Sequence, residues 1–136
     1  MLGVALQALD VSRQARIISK LGPAVEVSNA GALRKAVRDS TERMRIDSIW
    51  GFLLHREQQL DDWNGPLGET LQALTQEGRI RHLGVSVYAP GRALQALEMP
   101  AVDAIQVPAN LFDRRMARAG VFRRAGDLGK KVFIRS

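Results

Sequence analysis

Cysteine is absent from the 136 residues, which removes disulfides, thiolate nucleophiles and cysteine metal sites. Histidine occurs twice, at His55 and His82, too sparsely for a zinc site, so no metal is expected. No apolar run approaches the roughly 20 residues that span a bilayer, and the opening MLGVALQALDVSR lacks the basic n-region of a secretory signal. A cytoplasmic protein without a membrane partner is the resulting expectation. Aromatics are scarce at 5%. That scarcity bears on the net charge of +6, because the basic stretch from Arg114 to Lys131 interleaves only Phe122, with Phe112 just before it, where a single-strand binding surface needs stacking rings. These cations read as the solvated side of one helix and the loop after it, and nucleic acid is not the expected partner. Phosphate-binding GxxxxGKS and GxxxxGKT loops are missing, as are GxGxxG and GxSxG.

What is present is the profile of a soluble globular chain, 46% hydrophobic and 25% charged, of a length that suits one domain over residues 1–136. Short apolar runs alternate with helical patterns. The strand candidates are RIISK (16–20), IDSIWGFLL (46–54), RIRHLGVSV (79–87), VDAIQV (102–107) and KVFIRS (131–136). Residues 32–44 place Leu33, Ala36, Val37, Ser40 and Met44 on one helical face. Residues 66–78 open on Pro66 and close on Gly78, and residues 89–99 carry Pro90 at their start, as helix ends prefer. A fourth helix spans 113–126, interrupted by Gly120. Such alternation predicts parallel βα units. Two architectures compete: a five-stranded doubly wound sheet, which the length fills without remainder, and a little over half of an eight-stranded β/α barrel.

Each strand delivers something chemical at its end. The first ends in Lys20, the second in His55, the third in Ser86 with Tyr88 beyond, the fourth at Gln106 with Asn110 in the loop, and the fifth in Arg135 and Ser136. Parallel strands share one C-terminal edge, where both architectures bind ligands. Taken singly, Lys20 reads as a solvated edge residue, His55 as a satisfied structural group, and Ser86 and Gln106 as loop caps. Recurrence on all five strands favours a shared site. Asp61 and Asp62, in QQLDDWNG, read as solvated or capping groups rather than paired acids.

IISKLGP, IDSIWGFLLHRE, LQALTQEGRIRHLGVSVY, IQVPANLFDRR and KVFIRS, in this order, resemble the third to seventh strands of the aldo-keto reductase superfamily and the segments that follow them. The resemblance implies a partial β/α barrel of about five parallel units, and an oxidoreductase reducing an aldehyde or ketone with NADPH or NADH, NADPH being favoured. It places Lys20 and His55 on two members of a catalytic tetrad. There the lysine lowers the pKa of a tyrosine proton donor, and the histidine donates a hydrogen bond to the reacting carbonyl oxygen. Ser86 and Gln106 match residues that hold the nicotinamide carboxamide. Arg135, followed by Ser136, stands where many members stack an aromatic on that ring.

The resemblance also carries departures. The tetrad's aspartate and tyrosine belong upstream of the stretch resembling VALQAL and are not in this sequence, and Tyr88 matches a packing aromatic instead. Val87 replaces an asparagine of the amide contact. The expectation is a truncated reductase segment, inactive as this isolated chain, with open sheet edges that a second copy could pair with. The alternative from another class is a non-catalytic α/β interaction module.

Overall fold

The computed structural model describes residues 2–11 and 14–136. Met1, Ser12 and Arg13, part of the opening segment read for a secretory signal, lie outside the described residues. The elements run α1 Leu2–Ala8, β1 Ile18–Lys20, α2 Ala30–Met44, β2 Ile49–Leu54, a 3-10 turn at Glu57–Asp62, α3 Pro66–Gln76, β3 Ile80–Ser86, α4 Pro90–Glu98, β4 Ala104–Pro108, α5 Arg115–Arg118, α6 Val121–Asp127 and β5 Lys131–Arg135. No helix among the described residues is long and apolar enough to cross a membrane.

All neighbouring strands pair in parallel, and their order across the sheet is β1-β2-β3-β4-β5. This order separates the two architectures. A doubly wound sheet reverses its strand order at a switch point and carries helices on both faces, whereas a barrel adds each strand beside the last and keeps every helix outside. The sheet is therefore a curled half-barrel of five βα units. Its outer face presents Phe52, Leu54, Val85, Ile105 and Val107, which form one buried cluster with Leu33 and Val37 of α2, Leu67 and Leu71 of α3, Leu97 of α4 and Met116 of α5. Each fully buried leucine in that cluster contributes roughly 1.5–3 kcal/mol relative to exposure.

Local chemistry sets the helix ends. The Asn29 side chain accepts from the Ala32 N–H at 3.0 Å and starts α2, whose buried residues are Leu33, Val37, Ser40 and Thr41. Ala36 and Met44, expected on the same face, pack partly buried against the core. Pro66 and Pro90 occupy first-turn positions in α3 and α4. At the end of α3, Gly78 N–H donates to Thr75 and Arg79 N–H to Leu74, the paired bonds of a Schellman cap. The single helix expected over 113–126 is two: Gly120 adopts φ +76°, a conformation α-helix excludes, and separates α5 from α6. The stretch from Leu2 to Ala8 is helical, although it carries no capping signal to announce it.

At Gly84 the neighbouring strands leave no room for a side chain. A Cβ there would stand 2.4 Å from the Ala104 carbonyl oxygen and 2.4 Å from Leu53 Cδ2. Since a backbone oxygen cannot yield as a side-chain tip can, Gly84→Ala is expected to destabilise the fold by about 1–3 kcal/mol. A urea midpoint equal to that of the parent chain would show that β3 and β4 can separate without loss.

Candidate functional site at the C-terminal edge of the sheet

The register explains why five strand ends address one space. Lys20 pairs with Leu53, Leu53 with Gly84, Gly84 with Ala104, and Ala104 with Lys131. Two residues beyond this row, Ser86 pairs with Gln106; two further again, Arg135 pairs with Pro108. Side chains alternate across a strand with a period of two, so Lys20, Ser86, Gln106 and Arg135 share the face opposite the helices. His55 follows Leu54 at the end of β2 and is exposed.

Contacts agree with this parity. Lys20 Nζ donates to Ser86 Oγ at 3.4 Å, across the width of β2. Ser86 itself is 1% exposed. The Arg135 guanidinium lies 4.3 Å from the centre of the Tyr88 ring, close enough for a cation–π contact. Tyr88 was expected to be a packing aromatic, and it is 47% exposed, forming a platform for Arg135 instead. Val87 points the other way, fully buried in the helix-side core.

Among the described residues, two buried polar atoms at this edge have no partner, Gln106 Oε1 and Arg135 Nε. A buried acceptor or donor left unpaired costs about 1–3 kcal/mol, so such atoms commonly mark where a ligand or water completes the set. One accepts and the other donates. With Ser86 Oγ beside them, this set matches a primary carboxamide, which carries both an N–H and a carbonyl oxygen.

The remaining strand-end residues are placed differently from expectation. β4 runs on to Pro108, so Gln106 lies inside the strand rather than at its end. Asn110 Oδ1 accepts from the N–H groups of Phe112 and Asp113, both at 2.9 Å, and shapes its own loop. Ser136 follows β5 in an exposed position, without a described contact to the other site residues. His82 sits away from the mouth, its ring 4.7 Å from that of Trp50 and Nδ1 3.8 Å from Asp103 Oδ2.

Of the basic residues near the end of the chain, Arg115 is paired with Asp113 and Arg124 with Glu98. Asp61, mostly exposed as expected of a solvated group, also accepts from Arg92 Nη1 at 2.9 Å. A cavity of about 940 Å³, lined by Arg16, Arg45, Trp50 and Arg81 among others, contains none of the strand-end candidates. It opens beside the strand starts, the end that in barrels carries stability rather than chemistry.

One residue at the mouth escaped the sequence reading. Glu57 Oε2 accepts from the backbone N–H of Tyr88 at 2.7 Å and of Ala89 at 3.2 Å, tying the segment after β2 to the turn after β3. Its partners are backbone groups 31 and 32 positions away, and no local spacing announces such a bond.

Burial first, and the Arg135 cation second, hold the Lys20 ammonium below the usual lysine range. Among the described residues Lys20 has no carboxylate partner to oppose this. Between the folded and unfolded pKa values the unfolded chain binds the extra proton. The stability penalty is therefore fully present below the folded pKa and fades as pH rises through that window. Arg135→Gln removes the second cause. The Lys20 titration, followed by NMR of its ε-carbon, should then move up toward the ordinary value and the rise in stability with pH should shrink; an unmoved titration would assign the whole effect to burial.

Comparison with known proteins gives a consistent result. The family model described as aldo/keto reductase family matches residues 1–135. Among solved structures, a Pseudomonas aeruginosa protein described as an aldo-keto reductase aligns with TM-score 0.80 and 28% identity, over 98% of this chain and 53% of that one. The glycerol dehydrogenase from Gluconobacter oxydans aligns with TM-score 0.73 and 27% identity, over 98% of this chain and 43% of that one. An aldo-keto reductase from Bacillus halodurans in its holo form, at 24% identity and TM-score 0.79 over 98% and 46% of the two chains, shares the fold. This chain thus spans about half the length of the structures it resembles. With a family match over nearly every residue and the half-barrel that the sheet order requires, the chain belongs to the aldo/keto reductase family.

Proposed function

We propose that the C-terminal edge of this sheet is the nicotinamide end of a reductase site, serving NADPH- or NADH-dependent reduction of an aldehyde or ketone. The observation that carries this reading is the pair of unpartnered buried atoms, Gln106 Oε1 and Arg135 Nε, on the same face as the Lys20–Ser86 contact. Gln106 would accept from the carboxamide N–H, while Ser86 Oγ and Arg135 Nε would address its oxygen. When bound, the nicotinamide supplies the hydride. His55, exposed at the end of β2, would donate a hydrogen bond to the substrate oxygen, where negative charge develops. Lys20 contributes a positive charge that lowers the pKa of a proton donor beside it. By the same family likeness that donor is a tyrosine supported by an aspartate, and neither has a counterpart among the strand-end residues of this chain.

The test is a titration of the chain, sized beforehand by light scattering, with NADPH and then NADH, following cofactor fluorescence. Saturable binding is expected, with Gln106→Ala and Ser86→Ala each weakening it by about tenfold, the factor that corresponds to one neutral hydrogen bond of roughly 1.4 kcal/mol. A well-dispersed chain that binds neither cofactor would remove the nicotinamide reading from these residues.

A further inference from the structure

The segment that carries His55 is not held by its own strand alone. After Leu54 the chain leaves the sheet, and two residues beyond His55 it sends the Glu57 carboxylate to the Tyr88 and Ala89 N–H groups. Ala89 is the N-cap of α4 and has no side-chain capping bond of its own. Pro90, the first helical residue, has no N–H to offer, so a carboxylate from the neighbouring loop serves the start of α4. The helix returns the contact. Arg92, 24% exposed, donates through Nη2 to the Glu57 carbonyl at 2.7 Å and through Nη1 to Asp61 Oδ1 at 2.9 Å. Nη1 also reaches Gln95 Oε1 at 2.8 Å, fixing the guanidinium on its own helix.

This clasp reaches the site from two sides. Upstream, it limits the backbone two residues after His55. Downstream, it fixes the Tyr88 backbone, and the Tyr88 ring carries the Arg135 guanidinium. We propose that Glu57 is the positioning residue of the mouth. Its carboxylate sets His55 on one wall and, through Tyr88, Arg135 on the other, so that both address the space above Ser86 and Gln106. The inference deepens the nicotinamide reading and rests on it for its consequence, namely that Glu57 governs cofactor affinity without touching the cofactor. The geometric part stands apart from that reading and can be measured without any ligand.

The experiment compares the isotopically labelled chain with Glu57→Gln and Glu57→Ala by NMR, reading amide exchange at Tyr88 and Ala89, the His55 imidazole and the Arg135 Nε–H. Glu57→Ala should speed exchange at both amides at least tenfold, displace the His55 and Arg135 resonances, and weaken NADPH binding by tenfold or more. Glu57→Gln keeps an acceptor oxygen and should restore the resonances and most of the affinity. Faster exchange at Tyr88 and Ala89 with unmoved His55 and Arg135 signals would make Glu57 a helix cap only and overturn the proposal. If Glu57→Ala does not fold, Glu57→Asp, one methylene shorter, draws the carboxylate back from the Tyr88 and Ala89 N–H groups, and faster exchange at those amides with unmoved His55 and Arg135 signals in that variant overturns the proposal equally. A parent chain that binds neither NADPH nor NADH would defeat the nicotinamide reading, leaving the resonance comparison to decide the role of Glu57.

Discussion

At Gly84 the backbone of β4 and the side chain of Leu53 come to within 2.4 Å of where a methyl group would stand, so the inner face of β3 has no room for a side chain at this row. The row through Gly84 includes Lys20's partner Leu53 on one side and Ala104 on the other. Two residues along β3 from this row is Ser86, paired with Gln106. A wider separation at Gly84 would carry Ser86 away from both Lys20 and Gln106 together. A constraint that looks like packing is thus also what brings a 3.4 Å contact between residues 66 positions apart.

Two cations, Lys20 and Arg135, share the inner face of the mouth, while the Glu57 carboxylate is turned to the Tyr88 and Ala89 N–H groups. Arg135 is close enough to depress the proton affinity of Lys20, yet the hydrogen-bond partner of Lys20, Ser86, is neutral. Two cations gathered in partly buried surroundings repel one another, an arrangement the folded chain tolerates at a cost to stability. The Tyr88 ring offsets part of this by accepting the guanidinium face. A ligand bringing negative or electron-rich groups relieves the remainder, which is how a site can be less stable empty than occupied.

The architecture was legible because it is written in repeats. Four of the five strands fall within the predicted segments, β4 running one residue past its segment to Pro108, and the prolines of α3 and α4 lie at helix starts, since these signals are local and each is confirmed by the next. The end of β1 was legible and its start was not: Arg16 and Ile17 read as strand, but pairing begins at Ile18, where β2 supplies the opposite edge. The break at Gly120 was visible as an interruption and not as two helices, because composition alone does not reveal a positive φ. Strand-end residues were legible from the shared edge of parallel strands. Their convergence depended on even register offsets between strands, a quantity that exists only after pairing.

The apolar run FLLHRE shows where local reading stops. Phe52, Leu53 and Leu54 are buried because β2 has neighbours on both sides and helices over its outer face, so the strand can end only where a polar residue meets the rim. His55 marks that rim, and the sequence alone identifies it. The charged residues after it, Arg56 and Glu57, carry no local signal of a role. What separates Glu57 from a solvated glutamate is the start of α4, which lies about thirty residues later in the sequence, lacks a capping side chain and has a proline where an N–H would be. The need arises in one βα unit and is met by the preceding one. Where each unit completes its neighbour in this way, the wall between two strand ends is a property of the pair, and neither unit's sequence contains it.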